Sequence, residues 1–397
     1  MAKKILHVLA QMPEQTGSGI YLRALIYEAW KAGHDQAVII GVEQGFKFPD
    51  WFEECQVKVY PVYFSSEELP FHIVGMSDVM PYISTKYEEL VGEKLTMWKK
   101  AFQNVLLAAE QFKPEITISH HIWLLSSMVR TYLPRTKLII VCHGSDLRQQ
   151  EKLPHLATEV CQTCATAEHF LALNEYQQFL IMERCQVDEH QVAIIPGGYN
   201  EDIFCLPKNA IRSKDLLFAG KLSLAKGLMQ LLKVAKKISG VELTIAGSGS
   251  SEESKYILRK VAENPEKFTY LGMLSQKELA SEMQKHKVFV LPSYYEGLPL
   301  VIIEALACGC RVVCSDLPGL RSFLGEDLLK SGVVELVNLP RLKHSDQPLL
   351  EDLPTFEEEL LLAIKRQLSR CEDKVDIAFI RNFTWQENFR QIASIFD

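Results

Sequence analysis

The feature that most constrains the fold is an alternation of short apolar runs with segments of helical spacing, which restarts near residue 215. Short apolar runs bounded by turn residues indicate buried β-strands. In the first half these runs are 4–10, 37–41, 57–64, 116–119, 137–143, 169–173 and 192–198. In the second half they are 215–221, 241–249, 268–273, 287–293, 311–316 and 333–337. Because strands that alternate with helices form parallel sheets, the sequence predicts an α/β protein with two Rossmann-like sheets.

The length of the chain also favours two domains, because 397 residues exceed what one hydrophobic core usually organises. A segment rich in Gly, Pro, Asn and charge, 196–215, reads as the linker and predicts domains 1–205 and 206–379. Residues 65–100 depart from the alternation and are interpreted as an insertion. The apolar spacing in 383–396 predicts a terminal helix.

Composition narrows the classes of partner. The chain is 47% hydrophobic and 23% charged, as in ordinary globular proteins, and its net charge of -7 without basic blocks argues against a nucleic-acid partner. The apolar run at the N-terminus is too short for a signal peptide or a membrane span, so no integral membrane segment and a cytoplasmic location are expected. Ten scattered cysteines predict reduced, mostly buried thiols.

Polar loops follow several predicted strands, where open α/β sheets bind ligands. Gly17 and Gly19 precede the first helix, so backbone amides there could approach an anion, although the pair does not complete a dinucleotide fingerprint. His143 ends another strand and either contacts a ligand or makes a structural hydrogen bond. Lys221 and Lys226 lie beside a glycine-rich turn and suit a diphosphate, whose charge they would neutralise without metal. Two solvated surface lysines are the alternative.

Two carboxylates stand out in the apolar stretch YYEGLPLVIIEALACGC, residues 294–310. Pro299 suits the first turn of a helix, which places Glu296 in the preceding loop and Glu304 within the helix, inclined back toward the same end. A carboxylate on an apolar helix face costs several kcal/mol unless it is paired or hydrogen-bonded. Vicinal hydroxyls of a ribose or hexose are suitable donors, and an ion pair with a distant Lys or Arg is the alternative.

The second half resembles the donor-binding domain of the GT-B glycosyltransferases, specifically the large retaining family 4, also called group 1. PSYYEGLPLVIIEALACG is similar to the signature of that family, a Glu followed after seven residues by another Glu. FAGKLSLAKG, LTIAGSG and FTYLGMLS precede it in the order of the family. In the first half, TGSGIYLRALIYEAWKAGH, VCHGSD and IIPGGYNEDIF resemble the first loop and helix, the histidine loop and the linker of the family.

This resemblance implies two domains facing each other across a cleft, with the C-terminal helix, 380–397, crossing back to the first domain. Lys221 and Lys226 would hold the diphosphate of a nucleotide-sugar donor, and Gly17 would approach it from the first domain. Glu304 would accept hydrogen bonds from the nucleotide ribose. Gly247 would also belong to the donor site.

For the transferred sugar, the resemblance implies binding by Glu296 and by the backbone amides of Gly297, Leu298 and Leu300. His143 would lie near the reacting carbon. Catalysis is thereby assigned to His143, Lys221, Lys226 and Glu296.

No cofactor or metal is expected, because the chain contains no Asp-x-Asp motif of the kind that holds Mn²⁺ or Mg²⁺ in the metal-dependent sugar transferases. Cys161 and Cys164 form a C-x-x-C without a matching partner motif, so they are interpreted as small apolar fillers rather than as a metal or redox site. The acceptor would be a small molecule, a glycan or a lipid-linked sugar. Residues 75–84 and 119–123 either contact it or pack in the core.

The sequence therefore predicts a retaining, metal-independent glycosyltransferase that moves a hexose-type sugar from a UDP- or GDP-sugar. Two alternatives stay open: a sugar-nucleotide epimerase of the same fold, and a non-catalytic sensor that binds a nucleotide sugar.

Overall fold

The computed structural model describes residues 2–78, 80–207, 211–249, 251–344, 346–370 and 378–396. Its strands are β1 (Lys4–Leu9), β2 (Asp35–Glu43), β3 (Lys58–Phe64), β4 (Val74–Gly75), β5 (Thr85–Lys86), β6 (Ile116–His120), β7 (Lys137–Val141), β8 (His169–Ala172), β9 (Val192–Ile194), β10 (Lys214–Ala219), β11 (Leu243–Ala246), β12 (Phe268–Gly272), β13 (His286–Leu291), β14 (Arg311–Ser315), β15 (Val334–Val337), β16 (Leu342–His344) and β17 (Gln347–Pro348).

The α-helices are α1 (Gly17–Lys31), α2 (Trp51–Glu54), α3 (Gly92–Ala109), α4 (Leu124–Tyr132), α5 (Ser145–Lys152), α6 (Pro154–Cys164), α7 (Glu175–Cys185), α8 (Leu228–Lys236), α9 (Glu252–Ala262), α10 (Gln276–Lys285), α11 (Leu300–Ala307), α12 (Leu320–Leu324), α13 (Glu326–Lys330), α14 (Leu353–Ser369) and α15 (Trp385–Ala393). None of the helices in the described ranges is both long and apolar enough to cross a membrane.

Two parallel sheets organise these elements. The first sheet has seven strands in the order β3-β2-β1-β6-β7-β8-β9, and the second has six in the order β12-β11-β10-β13-β14-β15. Every neighbouring pair in both sheets is parallel. The predicted α/β class with two Rossmann-like sheets is therefore confirmed.

The central strands form where the apolar runs predict them because helices bury these runs against the parallel sheet. In β1, every residue from Ile5 to Leu9 is buried, and β13 is buried at all positions except the half-buried Lys287. The predicted insertion 65–100 contains the parallel pair β4 and β5 and the start of α3. Its residue Val79 lies outside the described residues.

Contacts divide the chain into two compact units, one of Met1–Gly197 with Trp385–Asp397 and one of Gly198–Thr384. The predicted boundary at residues 205 and 206 lies further along the chain, because residues 199–204 pack in the second unit. Tyr199 and Phe204 are both buried in its core, and the Tyr199 amide donates to the Phe383 carbonyl at 2.8 Å. Residues 208–210 of the predicted linker and residue 397 of the predicted terminal helix lie outside the described residues.

Helix α15 belongs to the first unit, and aromatic contacts hold it there. The Trp385 ring meets the Tyr21 ring of α1 edge-on with centroids 5.0 Å apart, and Phe389 and Phe396 contact His34. The helix begins at Trp385 rather than at residue 380, because Ala378–Phe383 forms a 3-10 helix before it.

Candidate functional site

The strand order of each sheet reverses at one point, which is where open α/β sheets bind ligands beyond the carboxyl ends of their strands. In the second unit the reversal lies between β10 and β13, so the loops that follow these strands meet there. They are the loop of Lys221 and Lys226 and the loop of Glu296. Topology thus brings together the two segments that the sequence assigns to the donor.

The lysine loop is tightly folded. After β10, a 3-10 turn, Leu224–Lys226, leads into α8 through Gly227, which has a φ of 63°. A Cβ atom on Gly227 would lie 2.0 Å from the Pro292 carbonyl oxygen in the loop after β13. Only glycine allows this approach. Both Lys221 and Lys226 are half-buried.

Lys226 and Glu296 form an ion pair that the sequence analysis did not predict. The Lys226 Nζ donates to Glu296 Oε1, and the side chains are only 19% and 15% exposed. Ser293 Oγ donates to the same carboxylate oxygen at 2.7 Å. The pair keeps the ammonium and the carboxylate at one place before any ligand binds, so an incoming diphosphate would compete with Glu296 for Lys226.

The Glu304 carboxylate has no partner. It lies on α11, is half-buried, and neither donates to nor accepts from any group among the described residues. Burial raises the pKa of Glu304 to about 7. An ion pair with a distant Lys or Arg, the alternative raised by the sequence, is absent from the described parts of the chain. The carboxylate therefore retains its capacity to accept hydrogen bonds from a ligand.

The N-terminus of α11 differs slightly from the predicted arrangement. Pro299 is the residue before the helix, which begins at Leu300, because its ψ of 75° is not helical. The Leu300 amide already donates to the Leu298 carbonyl at 3.0 Å. That amide would have to release this bond in order to bind a sugar, whereas the Leu298 amide has no acceptor among the described residues.

A tyrosine links the two loops of the site. The Tyr294 amide donates to the Ala225 carbonyl at 2.8 Å, and the Tyr294 hydroxyl donates to Gln230 Oε1 of α8 at 2.7 Å. Its ring packs against Phe356 with centroids 5.7 Å apart. Tyr294 thus fixes the position of the loop that carries Glu296 relative to the loop that carries Lys226.

Gly247, also predicted in the donor site, has a structural reason to be glycine. Its φ is +137°, and a Cβ atom would lie 1.8 Å from the Gly220 carbonyl oxygen. The Tyr270 hydroxyl donates to its carbonyl at 3.0 Å. The role of Gly247 in ligand binding remains a prediction.

In the first unit, the sheet reverses between β1 and β6, and the loop after β1 leads into α1, whose first residue is Gly17. Thr16 caps α1 by accepting from the Gly19 amide at 3.1 Å. A Cβ atom on Gly19 would lie 2.6 Å from the Pro13 carbonyl oxygen, whereas the space over Gly17 is open. The fold therefore requires the second glycine, and the first leaves room at the helix N-terminus.

His143 lies among other aromatic rings just beyond β7. Its Nε2 is 3.0 Å from His120 Nδ1, and its ring contacts His121 and Tyr21 with centroids 4.7 and 5.3 Å away. Burial lowers the pKa of His143 well below its usual value, and neighbouring histidines lower it further. Asp146 holds the loop by accepting from the His143 amide at 3.1 Å. The ring is therefore neutral and fixed in place.

The segment 119–123 is buried in the first unit. His120, His121 and Trp123 are each buried, and Trp123 meets Tyr87 edge-on with centroids 5.6 Å apart.

Cys161 and Cys164 are free, buried thiols in the core of the first unit. In the described ranges no cluster of three or more His, Cys, Asp or Glu could hold a metal ion.

Sequence reasoning missed Ser293 and Tyr294 as supports of Glu296. The sequence shows a serine and a tyrosine after a buried strand, and this could have indicated their role. Polar side chains at the carboxyl end of a strand lie at the edge of the sheet where ligands bind. The predicted residues therefore fall into separate groups: Lys226 and Glu296 are in contact, Glu304 follows on α11, and His143 and Gly17 lie in the first unit.

Comparisons with known proteins relate the second half of the chain to glycosyltransferases. Residues 206–336 match the family model described as glycosyl transferases group 1. One relative is the Campylobacter jejuni N-acetylgalactosamine-N,N'-diacetylbacillosaminyl-diphospho-undecaprenol 4-alpha-N-acetylgalactosaminyltransferase. The two sequences are 30% identical over 174 residues, and the alignment covers 43% of this chain and 46% of the relative. The chain aligns with less than half the length of the curated relatives that it matches.

Solved structures match over nearly the whole chain. Sucrose-phosphate synthase from Thermosynechococcus elongatus superposes with a TM-score of 0.66 at 17% identity, covering 99% of this chain and 98% of that one. An Anabaena protein in complex with UDP-glucose superposes with a TM-score of 0.62 at 14% identity, covering 99% of each chain. At such identities the likeness concerns the fold, and it confirms the GT-B fold that the sequence predicts.

Proposed function

We propose that this chain, whose residues 206–336 carry the group 1 glycosyl transferase domain, is a retaining, metal-independent glycosyltransferase. It would move a hexose-type sugar from a nucleotide diphosphate sugar to an acceptor. The second unit would bind the donor, and the first would bind a small-molecule, glycan or lipid-linked acceptor. A cytoplasmic location and the absence of a cofactor belong to the same proposal.

The observation that carries the proposal is the unpartnered Glu304 carboxylate on α11. Burying a carboxylate without a partner is unfavourable, and the raised pKa, about 7, reflects that cost. A site of this kind persists where a ligand supplies the missing donors. The vicinal hydroxyls of a nucleotide ribose provide two O–H groups, which one carboxylate can accept together.

Lys226 and Lys221 would bind the diphosphate. When the bond between the sugar and the diphosphate breaks, negative charge grows on the leaving oxygen, and two nearby ammonium groups stabilise it. Gly17, with open space above it at the N-terminus of α1, would contribute backbone amides to the same phosphates. No metal is then required to neutralise the leaving group.

Glu296 would position the sugar. Its Oε1 already accepts from Lys226 and Ser293, so the second oxygen is the one available to sugar hydroxyls. The Leu298 amide would add a donor beside it. His143, neutral and fixed, would hydrogen-bond the sugar near the reacting carbon. No side chain is placed as a nucleophile, so we favour attack on the face of the departing diphosphate, with a phosphate oxygen assisting the acceptor.

UDP is the first donor nucleotide to test, with GDP as the second. The support is the structural neighbour from Anabaena, which was solved with UDP-glucose. Its sequence identity of 14% establishes no specificity for this chain. The base and the sugar are therefore best determined by a panel.

The two alternatives differ in what the lysines must do. A sensor needs to bind a nucleotide sugar but not to stabilise a leaving diphosphate, and an epimerase would act on a nucleotide sugar without needing an acceptor. The Lys226–Glu296 pair supports the transferase over the sensor, because Lys226 would supply a cation where leaving-group charge would develop.

The test is nucleotide release from a panel of UDP-, GDP- and ADP-sugars, measured with and without mixed acceptors. We expect release with at least one donor that depends on an acceptor and is lost in Lys226→Ala and in Glu304→Ala. Conversion of the donor into an epimeric nucleotide sugar, without an acceptor and without net release of nucleotide, would identify an epimerase. Binding without turnover would identify a sensor.

A further inference from the structure

His120 lies beside His143 and is hydrogen-bonded to it. It is the last residue of β6 and pairs with Val141, the last residue of β7, so it stands beside the strand that leads into the His143 loop. The two rings lie nearly parallel, with centroids 5.2 Å apart and an interplanar angle of 18°. Their hydrogen bond joins His120 Nδ1 and His143 Nε2 at 3.0 Å.

Both rings are neutral, so this hydrogen bond contains a single proton. Burial lowers the pKa of His120 and of His143 well below the usual range, and the nearby ring of His121 lowers both pKa values further. A neutral imidazole has one N–H donor and one bare nitrogen. Whichever ring donates in the shared bond therefore fixes which nitrogen is protonated in both.

The two possible arrangements differ at the far side of His120. Its Nε2 is buried and has no partner among the described residues. If His143 donated, His120 would carry its proton on Nε2, as a buried donor without an acceptor. If His120 donates, that atom is only a bare acceptor. Unpaired buried N–H groups are the rarer and more costly case, so the second arrangement is favoured.

The consequence reaches the ligand side of His143. His143 is half-buried. Its Nδ1 is not one of the fully buried polar atoms that lack a partner among the described residues. We infer that His120 is a positioning residue that donates from Nδ1 to His143 and thereby keeps the His143 proton on the accessible Nδ1. His143 then presents an N–H donor to its ligand and has no basic nitrogen there.

For the reaction, this assignment rests on the proposed function. A donor at His143 Nδ1 accepts no proton from an incoming hydroxyl, but it can hold an oxygen of the transferred sugar in place. His120 touches no substrate in this scheme. Its effect is confined to the tautomer of His143, as a partner of the second ring nitrogen fixes the tautomer of other functional histidines.

The test is the tautomer of His143 itself, read from long-range ¹H–¹⁵N correlations of the full chain labelled with ¹⁵N-histidine and assigned with His143→Gln. We expect the Nδ1–H tautomer in the unmodified protein. His120→Asn keeps an N–H donor at a similar place, and the equally sized His120→Asp offers only an acceptor there. The Asn variant should keep the Nδ1–H tautomer, and the Asp variant should put a proton on His143 Nε2.

Kinetics provide a second readout. An acceptor at residue 120 should lower kcat of His120→Asp by about fivefold to tenfold, because His143 then loses one hydrogen bond to the sugar, with UDP affinity unchanged and with His120→Asn keeping most of the rate. An Nε2–H tautomer in the unmodified protein, or a His143 Nε2 without a proton in a folded Asp variant, would overturn the inference. The spectrum needs no substrate, so this result stands apart from any failure of the proposed function.

Discussion

Glu304 shows at the residue scale how a binding site costs stability. Its carboxylate lies half-buried on α11 without a partner, and its pKa is raised to about 7 from the usual 4.5. A group with a raised pKa in the folded state stabilises the protein only while it is protonated. Stability is therefore full below about pH 4.5 and declines as the pH rises through about 7.

Replacing Glu304 with Gln should remove this pH-dependent cost. Because glutamine stays neutral, the ligand-free variant should be more stable than the unmodified protein at pH 8, by on the order of 1 kcal/mol, and similar to it at pH 5. The expected difference in stability is smaller than the whole change in the Glu304 pKa would give, because the side chain is partly exposed. Calorimetric melting at both pH values measures it, and an equal difference at pH 5 and pH 8 would speak against an ionised, unpartnered Glu304.

Breaking the ion pair of Lys226 and Glu296 should change UDP binding and the transfer rate in opposite directions. Glu296→Gln removes the charge that holds Lys226, so the lysine becomes more available to a diphosphate. We expect UDP affinity to rise by about fivefold while the transfer rate falls, because the sugar loses its positioning carboxylate.

The matched control is Glu357→Gln, which breaks the ion pair of Lys233 and Glu357, 2.8 Å long, elsewhere in the same unit. Glu357→Gln should change neither the UDP affinity nor the transfer rate. Titration calorimetry with UDP and steady-state rates give both readouts. Weaker UDP binding in Glu296→Gln would mean that Glu296 does not compete with the diphosphate for Lys226.

At the scale of elements, the turn between β10 and α8 leaves no room for a larger residue at Gly227. Gly227→Ala would place a Cβ atom 2.0 Å from the Pro292 carbonyl oxygen at a φ of +63°. We expect a loss of on the order of 3 kcal/mol in the free energy of unfolding and loss of turnover, because both donor loops must move.

Gly240→Ala is the comparison for that substitution. Gly240 has a φ of +72° but open space around its Cβ position, so it should cost only about 1 kcal/mol and leave turnover intact. Urea unfolding of the two variants separates the clash from the backbone preference. Equal losses in both would show that the close approach of the two loops does not constrain the site.

The central strands of both large sheets could be predicted from sequence because they are buried on both faces and read as continuous apolar runs. The short strands could not. The pairs β4–β5 and β16–β17 span two or three residues each, which is too few to show any periodicity. The predicted start of α11 differs by one position from the observed start, because Pro299 precedes the helix and Leu300 is its first residue.

At the scale of the whole molecule, the position of site residues could be predicted only as far as topology determines it. The reversal of strand order places the loops of Lys226 and Glu296 together, and polar residues after strands mark those loops. The ion pair between them joins residues 70 positions apart, and no local pattern reports such a contact. The burial of His121 and Trp123 was equally hidden, because buried and ligand-facing aromatic residues look alike in sequence.

The central claim is that Glu304 accepts hydrogen bonds from a nucleotide. Its most direct test is the number of protons exchanged on UDP or GDP binding at pH 7, from calorimetry in buffers of different ionisation enthalpy. Hydroxyl donors favour the ionised carboxylate, so binding should lower the Glu304 pKa and release about half a proton. Glu304→Gln should bind more weakly and without that release. Binding of either nucleotide with equal proton exchange in both proteins, or binding of neither, would contradict the account.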